Sequence, residues 1–200
     1  MPGRSAQEAL KKFIDPLKET VSCLGQQAKW VYGSKIALGQ RVTTSLASPV
    51  TVKSSLYDRG LTLTSTIAVK IIEDGRPNMG PYRCSTQEYI HTISTGNERL
   101  LAFHWHPENL SPELGPHLHL GKKRFPQLKT IHIPTSRTTL EYVIRMMLDE
   151  LGADPTPTKP SLTDDRRQKL DQVEARHTEH RSWSSYDEGR RRSSKWPDED

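Results

Sequence analysis

Between residues 61 and 71, Leu61, Leu63, Ile67, Val69 and Ile71 stand at every second position, broken only by Ser65, with Thr62, Thr64 and Thr66 between them. An apolar period of two, filled in with β-branched residues, gives a strand one face for a core and one for water. The middle of the chain is thereby committed to a half-buried sheet. The apolar side of such a sheet must be covered, and the flanking segments have to supply the cover.

Two further strands follow, from about residue 82 to 94 and from 99 to 106. They are joined at Thr95-Gly96-Asn97-Glu98, where Gly-Asn suits the positive φ of a tight hairpin. Pairing outward from a two-residue Gly96-Asn97 loop sets His91 opposite Ala102 and Tyr89 opposite His104. Tyr89, His91, His104 and His106 then share one face, and Ile90, Leu101, Phe103 and Trp105 the other. Residues 116–120 and 129–134 read as two shorter strands. Residues 33–60 are Ser/Thr-rich and weakly patterned, and read as loop with a short strand at 50–57.

The cover comes from both ends. Leu10, Phe13, Ile14, Leu17, Val21 and Leu24 follow helical spacing, and Pro16 after the potential cap Asp15 predicts two short helices or a kink. Leu140, Val143, Ile144, Met147 and Leu151 form one face of a closing helix. Thr138 with Glu141 fits a capping box, and Gly152 a left-handed C-terminal position. The expected fold is α+β, an antiparallel meander of four or five strands with helices packed on one face.

This unit spans residues 1–154. From Pro155 onward ten basic and ten acidic residues accompany few aliphatic ones, so 155–200 is expected to be a disordered or marginally helical tail. The net charge of +5 therefore sits in the folded part. It permits a nucleic-acid or acidic partner without demanding one. Two cysteines, Cys23 and Cys84, with no C-x-x-C pair, point to neither a disulfide framework nor a thiolate zinc site. With no apolar run near membrane-spanning length and no signal-peptide core, a cytoplasmic protein without a membrane partner is expected.

The chemistry is concentrated in histidines. Six of the eight lie between residues 91 and 132, including the pairs His104-Trp105-His106 and His117-Leu118-His119. Residues i and i+2 of a strand share a face, so each pair presents two imidazoles side by side. With Leu118 and Leu120 turned to the core, His117 and His119 join His104 and His106. His132, between Ile131 and Ile133, points the same way.

Three readings fit this patch. The first is a divalent metal centre, zinc or manganese, held by His104, His106, His117 and His119 with a carboxylate from Glu108 or Glu113. The second is metal-free acid/base chemistry on a phosphodiester, with His104, His117 and His91 as catalytic groups. Lys122, Lys123 and Arg124 would then bind phosphate, with Arg99 and Lys129 nearby. The third is an amphipathic sheet whose histidines are merely half-exposed, serving as a non-catalytic module for a protein partner. The pattern does not complete the cupin, histidine-triad or two-histidine phosphoesterase motifs; at Gly121 the third alternating histidine of a histidine triad is missing.

From Tyr82 to Leu151 the order of parts resembles the TumE-type toxins of bacterial toxin–antitoxin pairs. The shared parts are a hairpin around Gly96-Asn97-Glu98-Arg99-Leu100, a His-bearing strand end, a loop, the second His pair at His117 and His119, and a closing helix. Phe103-His104-Trp105-His106 stands where that family has Tyr-Asp-Asn. The resemblance implies an intracellular protein that acts on RNA and is held by an antitoxin-like partner.

Overall fold

The computed structural model describes residues 2–33, 36–76, 80–107, 115–128, 130–155 and 161–178. In chain order the elements are α1 (Ala6–Ser22), β1 (Trp30–Tyr32), β2 (Arg41–Leu46), β3 (Val50–Ser54), β4 (Leu61–Glu73), β5 (Tyr82–Thr95), β6 (Glu98–Trp105), β7 (His117–Leu120), β8 (Ile133–Pro134), α2 (Leu140–Asp149), β9 (Ala153–Asp154) and α3 (Ser161–Thr178). The fold is α+β. All strand pairs are antiparallel, in the order β1-β2-β4-β5-β6-β7-β8, with β3 continuing along β4 and carrying β9 on its outer side.

The sheet is wider than four or five strands because the Ser/Thr-rich stretch 33–60 adds, besides the expected short strand found as β3, the strand β2. β2 and β3 lie end to end along β4, Ser45 opposite Thr66 and Val50 opposite Leu63. Val42, Thr44, Val50 and Val52 are buried and their neighbours face outward. A buried threonine in place of one aliphatic residue hides this alternation.

β4 and β5 form the long central pair. Leu61, Leu63, Ile67, Val69 and Ile71 are all buried, and α1 packs its Leu10, Ile14, Leu17 and Val21 into the same core. Of the two alternatives expected at Pro16, separate helices do not occur: α1 runs through it as one helix. Proline removes a single N–H donor from the ladder, and the buried stripe on both sides of it holds the helix together. In α2 the N-cap is Thr139, whose hydroxyl accepts the Tyr142 N–H at 3.2 Å, rather than Thr138. Gly152 does take positive φ, +64°, just beyond the helix.

Packing also continues past residue 154. Among its described side chains α3 buries Leu170 and Val173, and its cations reach the ends of the other helices. Arg166 donates to the carbonyl of Ser22 at 3.0 Å and Arg167 to that of Leu148 at 3.2 Å. These carbonyls belong to the last turns of α1 and α2, where helices leave acceptors unsatisfied. Arg145 pairs with Asp171 and Glu174, and Arg176 with Glu19. Residues 179–200 lie outside the described residues.

One detail of the β5–β6 hairpin decides where the histidines go. The two pairs beside the turn, Thr95 with Glu98 and Ser94 with Arg99, follow the expected register. Leu100 is then an extra residue on β6, and pairing resumes with Ile93 opposite Leu101, His91 opposite Phe103 and Ile90 opposite His104. Such a bulge moves everything beyond it by one position. Next to it, the Gly121 N–H donates to the Leu100 carbonyl at 2.8 Å. A Cβ on Gly121 would stand 1.9 Å from the Arg99 carbonyl oxygen, so no larger residue fits without moving backbone. Gly121→Ala is expected to lower stability by about 1–3 kcal/mol, as overpacking does, read as a lower urea midpoint. An unchanged midpoint would show that the two strands part easily at this point.

Candidate metal centre

β6 and β7 pair with His104 directly opposite His117, and His119 opposite Ala102, so the alternating imidazoles of both strands emerge on the side of the sheet away from the helices. The opposite side carries Phe103 and Leu118, which pack in the core. His132, just before β8, completes the group. Ring centroids are 4.6 Å apart for His104 and His119, 4.9 Å for His117 and His119, and 5.7 Å for His104 and His117. His132 stacks on His117 at 4.7 Å with the planes 9° apart. His106 lies 5.1 Å from His104.

Within this patch His104, His117 and His119 each offer one ring nitrogen, and the three nitrogens lie within 4.8 Å of one another. Tetrahedral zinc, with Zn–N bonds of about 2.0 Å, wants ligand nitrogens about 3.3 Å apart. The rings would have to turn toward one another to close on an ion. His117 is buried, and its Nδ1 sits 2.8 Å from the Gly115 carbonyl oxygen. A carbonyl only accepts, so Nδ1 carries the proton and Nε2 the lone pair. This is the outer-shell arrangement by which a ligating imidazole has its tautomer fixed.

His106 has a comparable support. Its Nδ1 is 3.0 Å from Glu88 Oε1, and Arg41 pairs with the other carboxylate oxygen. Glu88 and Arg41 carried no local signal in the sequence, because they reach the site from the middle of β5 and from β2.

The electrostatics favour neutral rings. Burial, then the neighbouring His119, His106 and His117, hold His104 down to about 3. Burial, then His132 and His117, hold His119 down to about 4. Arg99, on the same side of the sheet, pushes both in the same direction. Ligating nitrogens must be deprotonated, so no proton has to be displaced from either ring at neutral pH.

The expected residues divide as follows. His104, His106, His117, His119 and His132 come together. His91, expected as a catalytic group, does not: the Leu100 bulge puts it on the helix side. There it is 1% exposed, its Nδ1 2.9 Å from the Ser65 hydroxyl and its ring stacked 5.0 Å from Tyr89. Burial pushes it down to about 4, partly opposed by Glu141 of α2. The break at Ser65 in the β4 alternation was the signal, since that hydroxyl is the partner of His91. Glu108, Glu113 and Lys129 lie outside the described residues. Lys122 and Lys123 are exposed and line a groove beside the site, whereas Arg124 pairs with Glu98 at 3.5 Å and lies over the Tyr57 ring.

Cys84 is pushed up to about 12 by burial and Cys23 is raised for the same reason, which leaves both thiols unreactive. Among the described residues no helix is long and apolar enough to cross a membrane. No family model, curated protein or solved structure matches the chain.

Proposed function

We propose that the protein is a metal-dependent phosphodiesterase acting on RNA, with one divalent ion, zinc or manganese, held by His104, His117 and His119. The observation that carries this reading is the group of three ring nitrogens within 4.8 Å, one of them with its tautomer set by the Gly115 carbonyl. Three protein ligands leave a coordination position for water or substrate, as catalytic sites require. An ion held there would lower the pKa of a bound water and polarise a phosphoryl oxygen. Arg99 on the same side provides a cation beside the reacting phosphodiester.

The likeness of residues 82–151 to TumE-type toxins supports an RNA substrate, a cytoplasmic location and an antitoxin-like protein partner. A metal-free version is favoured by one observation, the His106–Glu88 pair, which would orient an imidazole for proton transfer. A non-catalytic docking module is favoured instead by the exposed Ile131, Ile133 and Tyr142 around the β8 edge.

Metal analysis of untagged protein purified without chelators separates these. About one equivalent of zinc or manganese per chain is expected from a single such site, falling below a tenth in His104→Ala/His119→Ala, together with loss of RNA cleavage. Cleavage without metal that disappears in His106→Ala would replace the metal reading by the acid/base one. No metal and no cleavage would leave the docking module.

A further inference from the structure

The end of the sheet next to the imidazoles gathers cations from three separate segments. Arg99 comes from β6, opposite Ser94 and on the histidine side. Lys122 and Lys123 come from the turn after β7. Arg59 lies against the hairpin tip, where a Cβ on Gly96 would meet its Cδ at 2.8 Å. Asn97, Glu98, Arg99, Lys122 and Lys123 line an open groove of about 350 Å³. The one carboxylate there, Glu98, is taken up by Arg124 at 3.5 Å. Among the described residues, Arg99, Lys122 and Lys123 enter no ion pair.

A groove with three uncompensated cations and an amide suits a phosphate, and its position says which one. Lys122 follows His119 by three residues, in the turn beyond the end of β7, so the two Cα atoms are at most about 10 Å apart. No imidazole of the described residues lines the groove, which opens beside the reacting centre and suits a phosphate further along the same strand. We propose that this groove binds a flanking phosphate, so that the substrate is a single-stranded oligonucleotide and not a mononucleotide or a small phosphate ester. The inference rests on the phosphodiesterase reading for its reacting centre, but the groove binds a polyanion whether or not the centre holds metal.

The test is fluorescence anisotropy with end-labelled single-stranded ten-nucleotide RNA and DNA of one sequence, titrated at several salt concentrations. Wild-type protein is expected to bind, with inorganic phosphate competing only weakly. Lys122→Ala/Lys123→Ala, both on the surface, is expected to weaken binding about tenfold or more at low salt. It should also flatten the log Kd against log salt slope by about 1.4, two contacts at about 0.7 each for a single strand. Its metal content should be that of wild type. His104→Ala/His119→Ala should lose metal yet keep most of the oligonucleotide affinity, so failure of the centre and failure of the groove are read separately. Equal binding of RNA and DNA places recognition on the phosphates, as proposed. No binding by wild type, or an unchanged affinity and slope in the lysine variant, overturns the inference.

Discussion

Lowering the pH from 6.5 to 4 is expected to remove about 3 kcal/mol of folding stability through His91 alone, at about 1.4 kcal/mol per pH unit. His91 is buried between β4, β5 and α2, and its folded-state value is down at about 4 from an ordinary 6.5. Above 6.5 neither the folded nor the unfolded chain holds the extra proton, and stability is at its full value. Below 6.5 the unfolded chain takes up a proton that the folded chain refuses, and the loss grows until the folded value is reached near 4. Ser65 on β4 and Glu141 on α2 are the polar groups facing the ring, and Glu141 is the one that favours the charged form. His104 and His119, also held down by burial and by their neighbours, act in the same direction. Urea midpoints between pH 7 and 4 measure the effect. His91→Gln should be less stable at pH 7, since the Ser65 contact and the stacking on Tyr89 are lost, and clearly less sensitive to pH. Equal sensitivity in the variant would mean that acid unfolds the protein elsewhere.

The second large effect is stabilisation by metal. An ion that binds only the folded chain adds about 2.7 kcal/mol at a concentration one hundred times its Kd. For a protein of this size that is a rise in Tm of about 5–10 °C. Zinc titrated into metal-free protein should produce this shift, and His119→Ala should abolish it. His119 is the suitable variant because it is partly exposed, whereas His117 is buried and stacked on His132, so its loss would disturb packing as well. A full shift in His119→Ala would remove this residue from the ligand set. A shift by zinc in wild type that survives loss of both His104 and His119 would move the ion to another place.

Much of this fold could be read from the chain because its strongest signals are local. The β4 alternation and the α2 stripe each declare a buried face within a dozen residues, and both faces are buried. The two His-x-His pairs obey the same period, so their common side followed once Phe103, Leu118 and Leu120 were given to the core. What escaped depended on residues far apart in sequence. Within α3 only the pair Leu170 and Val173 hints at packing; its polar partners include Glu19, Ser22, Arg145 and Asp149 on the other two helices. β2 is a strand because β4 lies beside it, and Thr44 is buried where a hydrophobic residue was the obvious sign. His91 was misplaced because the hairpin turn correctly set the first two pairs, whereas the residue that breaks the count, Leu100, looks like any other strand leucine.

That leucine makes the hairpin a matter of odd and even. With Leu100 as the extra residue, odd-numbered Phe103 and Trp105 meet the core and even-numbered His104 and His106 meet solvent, while on β5 the odd-numbered His91 goes inside. Deleting this one residue would ask the chain either to exchange the two sets or to slide β5 past β4. Every imidazole would still be present in the sequence. The candidate centre is therefore specified as much by the parity of a two-strand ribbon as by its histidines, and a one-codon deletion at the hairpin is a way to lose it without touching a ligand.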